Sequence, residues 1–266
     1  MKTSIAIKKL STVVTGSAAF LALSNFPANA VSVVRIPQSS FTPQAGLITF
    51  SEFGLGTVNP TYAPAAYGGN PLTAPTVTFG GFYQGQSLSA NPGVDCPGGA
   101  ATGCVVGTPT GPLSLDPASP NTFITNDAAA PNSPVLSGTP TFNGPITILF
   151  DKDMAGVGLD GGFFNAPNST AIKAFARDGS FLGQVSNTGT GIEFLGLVTS
   201  NGSAAIAGLQ FSLIGPEPAG FAIDSLRFGL PGQVNPPQKT PEPASVLGLL
   251  AIGALGAGSV LKRKLK

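Results

Sequence analysis

Eighteen consecutive residues without a charge, Ala244–Leu261, run into the basic end Lys262-Arg263-Lys264-Leu265-Lys266. As a helix this run is roughly 27 Å long, which barely matches the hydrocarbon thickness of a bilayer. In water it would be an insoluble patch, and Gly248, Gly253, Gly256 and Gly258 make it a poor free-standing helix. Lys and Arg crowd the cytoplasmic flank of membrane helices, which gives the basic end its sense. A transmembrane helix over 244–261 is expected, and the fold must be sought upstream.

The start of the chain has a matching signal. Lys2, Lys8 and Lys9 form a charged leader, Leu10–Leu23 is apolar, and Ala28-Asn29-Ala30 is a small-x-small cleavage site. Cleavage after Ala30 is expected. Residues 1–30 read as a secretory signal peptide.

Pro241-Glu242-Pro243 immediately precedes the apolar run. This tripeptide, the span, the basic residues Lys262, Arg263 and Lys264, and the leader together resemble the PEP-CTERM sorting signal of bacteria. The resemblance covers about 26 residues and implies recognition by an exosortase, an integral-membrane transpeptidase-like enzyme. Leu230-Pro231-Gly232-Gln233 lacks the Thr-Gly of a sortase site. A GPI signal would not need the basic end. The expected location is the cell envelope, membrane-anchored, or the extracellular space after tail processing.

Between the two signals about 210 residues remain, enough for one large all-β domain or two small ones. The 36 glycines and 25 prolines, with few charges, favour short strands joined by turns over helices. Val31–Thr240 carries 6 basic and 11 acidic residues, a net charge of −5. No basic patch remains to displace counterions from phosphates, so nucleic acid is not an expected partner. Histidine and tryptophan are absent. Without histidine there is no Ser-His-Asp or Cys-His nucleophile, no imidazole metal ligand and no switch near neutral pH. The expectation is a protein that is not an enzyme.

Leu47–Phe53 reads as the first main strand. Thr57–Pro145 holds 14 of the prolines and reads as mostly loop over a sandwich edge, with short strands at Thr76–Phe79 and Phe123–Thr125. The polar runs of Ser114–Ser137 suggest mobility. Cys96 and Cys104, in CPGGAATGC, are expected to form a disulfide in an exported chain.

From Pro145 the strands tighten: Ile146–Phe150, Val157–Leu159, Thr170–Ala176, Phe181–Val185, Ile192–Val198, Gly208–Leu213 and Phe221–Phe228. In Thr170–Ala176, Lys173 and Phe175 share one face, Ile172 and Ala174 the other. Asp178-Gly179 supplies residues tolerant of positive φ for a hairpin. Turns every 8–12 residues indicate a jelly-roll-like β-sandwich ectodomain over 31–228, with a loop-rich N-terminal half. The hairpin, Glu193-Phe194-Leu195-Gly196 and Phe221–Leu226 also resemble the ectodomains that precede PEP-CTERM tails. Residues 229–240 read as a proline-rich stalk.

Three site readings follow. Asp151, Asp153, Gly156 and Asp160 approach a calcium loop, but Ala155 and Gly162 stand where an EF-hand needs oxygen ligands, so a solvated turn is favoured. Glu52 and Asp224 each interrupt an apolar strand, one near the start and one at the end of the domain; they are candidate ligands of a structural Ca²⁺, the alternative being that both point to solvent or hydrogen-bond a turn. Tyr62, Tyr67 and Tyr83 are the only polar-tipped rings for stacking on extracellular polysaccharide. The resulting reading is an exported, non-catalytic surface or matrix protein. Its alternatives are a calcium-dependent carbohydrate-binding module and a carboxylate-based glycan hydrolase, which release of reducing sugar would reveal.

Overall fold

A computed structural model describes residues 31–96, 104–218 and 220–237. The signal peptide with Ala28 and Ala30, the sorting motif Pro241, Glu242 and Pro243, the span 244–261 and the basic end lie outside the described residues. Among the described residues no helix is long and apolar enough to cross a membrane.

Short strands come first: β1 (Val33–Arg35), β2 (Gly46–Ile48), β3 (Thr61–Tyr62), β4 (Val77–Gly80), β5 (Gln86–Leu88) and β6 (Val105–Gly107). Longer ones follow: β7 (Thr122–Asp127), β8 (Ala130–Gly138), β9 (Ile146–Met154), β10 (Gly156–Phe164) and β11 (Thr170–Phe175). Then come β12 (Phe181–Ser186), β13 (Gly191–Thr199), β14 (Ile206–Leu213) and β15 (Ala222–Gly229). One sheet runs β1-β13-β10-β15-β8-β7, with β2 also on β15; the second runs β12-β11-β14-β9-β4-β3. From β8 onward the chain crosses repeatedly between the sheets, so early strands lie beside late ones in both. β5 and β6 form a separate pair.

Alternation decides which faces meet. Leu159, Leu195, Leu197 and Ile223 from the first sheet pack against Ile148, Phe150, Ile172 and Phe211 from the second. Each large apolar side chain so buried stabilises the fold by about 1.5–3 kcal/mol. Ile172 and Ala174 enter this core, while Phe175 joins Tyr83, Leu113 and Ala207 in a separate cluster. The Asp178-Gly179 turn closes β11 onto β12 as expected, with Gly179 at φ 85°.

Several expectations are corrected. Leu47–Phe53 is not one strand: β2 ends at Ile48 and Phe50 turns the chain at φ 57°. Much of Ser114–Ser137 folds into the β7–β8 hairpin, whose side chains Ile124, Val135 and Leu136 are buried. Alternating apolar residues hold this polar stretch to the sheet. The segment read as a stalk from 229 is bound to the domain as far as Asn235. Val234 is buried beside Ile36 and Val198, Thr42 N–H donates to Gln233 O (2.9 Å), and Asn235 N–H donates to Ser40 O (2.9 Å).

Candidate functional site

On the first sheet, β10 and β15 place Asp160 directly opposite Asp224. Between the pairs Gly158–Arg227 and Asp160–Asp224 the register shifts by one residue, and within that bulge Ser225 sits at φ 48°. A bulge re-aims side chains locally. Here the Ser225 hydroxyl faces both carboxyls, and its N–H donates to Asp224 Oδ1 (2.5 Å). Asp127, Val135 and Ile192 complete a recess of about 200 Å³ around them.

Burial raises both carboxyls above the ordinary range. For Asp160 the Ser225 hydroxyl and Arg227 oppose this, while Asp224 adds repulsion. For Asp224 the Ser133 and Ser225 groups oppose it, and the charge of Glu52 adds to it. Two such groups can share a proton or a cation.

Glu52 reaches this neighbourhood from a turn. Its Oε1 accepts the Thr49 N–H (2.8 Å) and hydroxyl (3.0 Å), while Oε2 is buried without a donor among the described residues. Pairing of β2 with β15 explains why Glu52 and Asp224 come together. Asp160 is the member that sequence reading missed. In the chain it stands only in the incomplete calcium loop, and no local signal shows which residue of β15 will oppose it. Asp151 instead accepts the Thr76 N–H (2.8 Å), and Asp153 pairs with Arg177 (2.6 Å).

None of the three tyrosines offers an open ring. Tyr62 and Tyr83 are fully buried, and Tyr67 packs its ring on Phe228 while donating to Pro75 O. Tyr67 borders a recess of about 520 Å³ that, among the described residues, no charged side chain lines. Exposed rings lie elsewhere, at Phe163 on β10 and Phe181 on β12. Phe181 on β12 opposes Phe175 on β11 with ring centroids 5.8 Å apart, and Phe181 is 55% exposed.

Beside these rings, Gln184, Lys173 and Gln210 stand in register across β12, β11 and β14. The β5–β6 pair rises over them as a wall, enclosing a groove of about 270 Å³. The Cys96–Cys104 disulfide, present as expected, closes the loop between β5 and β6. Ser89 N–H donates to Cys104 O (2.8 Å) at its base.

Residues 239–264 match the PEP-CTERM protein-sorting motif. The chain carries a PEP-CTERM sorting signal. That signal marks the protein for export and for anchoring or processing at the tail, with an exosortase as the processing partner. No curated protein matches the chain. Among solved structures, a Podospora anserina GH26-CBM35 β-(1,4)-mannanase aligns with 63% of this chain and 29% of its own, at 13% identity and a TM-score of 0.22. The chain thus spans less than a third of that protein's length.

Proposed function

We propose that this PEP-CTERM protein is a non-catalytic component of the cell surface or extracellular matrix. It is a jelly-roll-like sandwich presented beyond the membrane, with extracellular polysaccharide as its partner. The observation that carries this reading is the sorting signal at 239–264, which follows an ectodomain without a histidine. The test is fractionation of cells making the full chain against cells making a chain that ends at Thr240. The full chain is expected in the envelope or matrix and the shortened one in the soluble exported fraction. Identical distributions would overturn the sorting part of the proposal.

A second reading adds calcium, favoured by the buried, donor-less Glu52 Oε2 near Asp224. Ca²⁺ takes six to eight oxygens. Among the described residues no three metal-ligating side chains gather, so Glu52 and Asp224 would need hydroxyls and water to complete a shell.

The raised pKa of Asp160 and of Asp224 gives this reading a pH test. In the metal-free protein a carboxyl whose folded pKa is raised binds its proton more tightly folded than unfolded. Stability then falls as pH rises from the unfolded value through the folded one. Asp224→Asn is therefore expected to stabilise the metal-free protein at pH 7, by less than about 1 kcal/mol after allowing for solvent screening. This corresponds to a rise in Tm of about 2 °C. Calcium should raise the Tm of the parent and leave that of the variant unmoved. A parent Tm indifferent to both calcium and chelator would sink the calcium reading alone.

A further inference from the structure

The groove on the second sheet brings a cation, amides and aromatic rings to one opening. Lys173 is half-buried on β11, and among the described residues its ammonium makes no hydrogen bond or ion pair. Among the described residues no Asp or Glu lines the groove. Burial alone lowers the Lys173 pKa, with no carboxylate charge to oppose it. A charge removed from water is ordinarily paired, and pairing it recovers part of the lost hydration.

The surrounding groups are of two kinds. Gln210 and Gln86 are buried and spent on each other: Gln210 Nε2 donates to Gln86 Oε1 (2.9 Å) and Thr147 Oγ1 (3.1 Å), and Gln86 Oε1 also accepts the Tyr83 N–H (3.0 Å). They form a rigid floor. Gln184 is exposed, and among the described residues its amide is uncommitted. Phe181 offers an open ring whose position is fixed by Phe175 behind it. A cation, a free amide and an apolar plate therefore converge on one opening. Pockets with a few fixed polar groups on an apolar lining select orientation as well as identity.

We propose that this groove binds an acidic polysaccharide, with one carboxylated sugar seated against Phe181, its carboxylate on Lys173 and a hydroxyl on Gln184. The proposal rests on the polysaccharide reading above and names the class of sugar. The flat C–H face of a pyranose suits the Phe181 ring, and the carboxylate supplies the charge the groove lacks. The groove has room for a single sugar unit whose neighbours run out along the exposed sheet. The exported part of the chain is itself net acidic, at −5, so its overall field does not attract such a polymer. The local cation must do so.

The test uses the full chain, after signal cleavage, in mild detergent. Its affinity for alginate and polygalacturonate is measured beside neutral dextran and mannan. The acidic polymers are expected to bind and the neutral ones to bind at least about tenfold more weakly, as expected for one charge-assisted contact. Lys173→Met keeps the stem and removes the charge, and should lose about tenfold affinity for alginate. Lys173→Arg should retain it, and Phe181→Ala should weaken it. Both side chains lie outside the inter-sheet core, and unchanged melting of the variants verifies the fold.

Alginate binding untouched by Lys173→Met would place the interaction on the basic tail and overturn the site. Neutral polymers binding as tightly as acidic ones would overturn the acidic assignment and leave the polysaccharide reading standing. Binding of neither class would overturn that reading and this site together.

Discussion

Asn187→Asp is expected to cost about 3–5 kcal/mol at neutral pH, a large part of the total stability of an ordinary domain. Asn187 is fully buried where the β10–β11 and β12–β13 connections meet. Its Oδ1 accepts the Ser169 and Thr170 N–H groups (2.9 and 3.0 Å), and its Nδ2 donates to Ala166 O and Gly189 O (2.7 and 2.9 Å). The substitution keeps the shape and turns both donors into a carboxylate oxygen facing two carbonyls. A negative charge is thereby buried among acceptors. The neighbourhood already holds one acid. Glu217 is buried and accepts the Ser169 hydroxyl (2.6 Å) and the Asn165 N–H (3.0 and 2.9 Å).

The pH dependence separates this mechanism from simple loss of packing. The introduced carboxyl would be neutral more readily in the folded state, so its folded pKa lies above the unfolded value near 3.9. The penalty is then smallest near pH 4 and grows as pH rises through the folded value. Urea melts at pH 4 and 7 measure this directly. Equal losses at both values, or no loss at pH 7, would contradict the four-bond description of Asn187.

Local chemistry made much of the fold readable from the chain. Asp178-Gly179 can only be an easy turn, and alternation in Thr170–Ala176 separates Lys173 and Phe175 from Ile172 and Ala174 without reference to any other strand. The same logic failed at Leu47–Phe53, where apolar residues continue past Ile48 but Phe50 adopts positive φ and Glu52 caps the turn. Nothing within seven residues distinguishes that turn from a strand.

Sites made by pairing were harder still. Glu52 and Asp224 stand out in the chain because each is an acid among apolar neighbours, whereas Asp160 needs the register of β10 against β15 to come opposite Asp224. The Lys173 face was readable, but its wall was not. That wall comes from β5 and β6, far away in sequence, in a stretch whose prolines advertise only loops. Docking of residues 229–235 was hidden for a similar reason. Val234 is a lone apolar residue in a polar run, and its partners Ile36 and Val198 lie at distant positions.

Gly208→Ala is expected to destabilise the protein by about 2–4 kcal/mol and to weaken the groove without touching it. Gly208 lies on β14 directly beneath the Tyr83 hydroxyl, and a Cβ there would come closer to Tyr83 Oη than real Cβ atoms approach a heavy atom. It would also stand 2.9 Å from Ile148 O and from Leu113 Cδ2. Tyr83 cannot yield cheaply. It is fully buried, its hydroxyl donates to Ile148 O (2.6 Å) within reach of Leu209 O (3.2 Å), and its ring packs edge-on against Phe175. Its backbone is tied to Gln86 in both directions, through Tyr83 N–H to Gln86 Oε1 (3.0 Å) and Gln86 N–H to Tyr83 O (3.1 Å). Lifting Tyr83 therefore lifts β5 and the wall over Lys173. Tyr83→Phe alone should cost about 1–2 kcal/mol for the lost buried hydrogen bonds. Combined with Gly208→Ala it removes the very atom in the way, so the double variant should be more stable than the sum of the two losses by at least about 1 kcal/mol. The remaining contacts with Ile148 O and Leu113 keep the rescue partial. Additive losses in thermal melts would show that the glycine is not there to admit the hydroxyl, and the link from β14 through Tyr83 to the groove wall would fall with it.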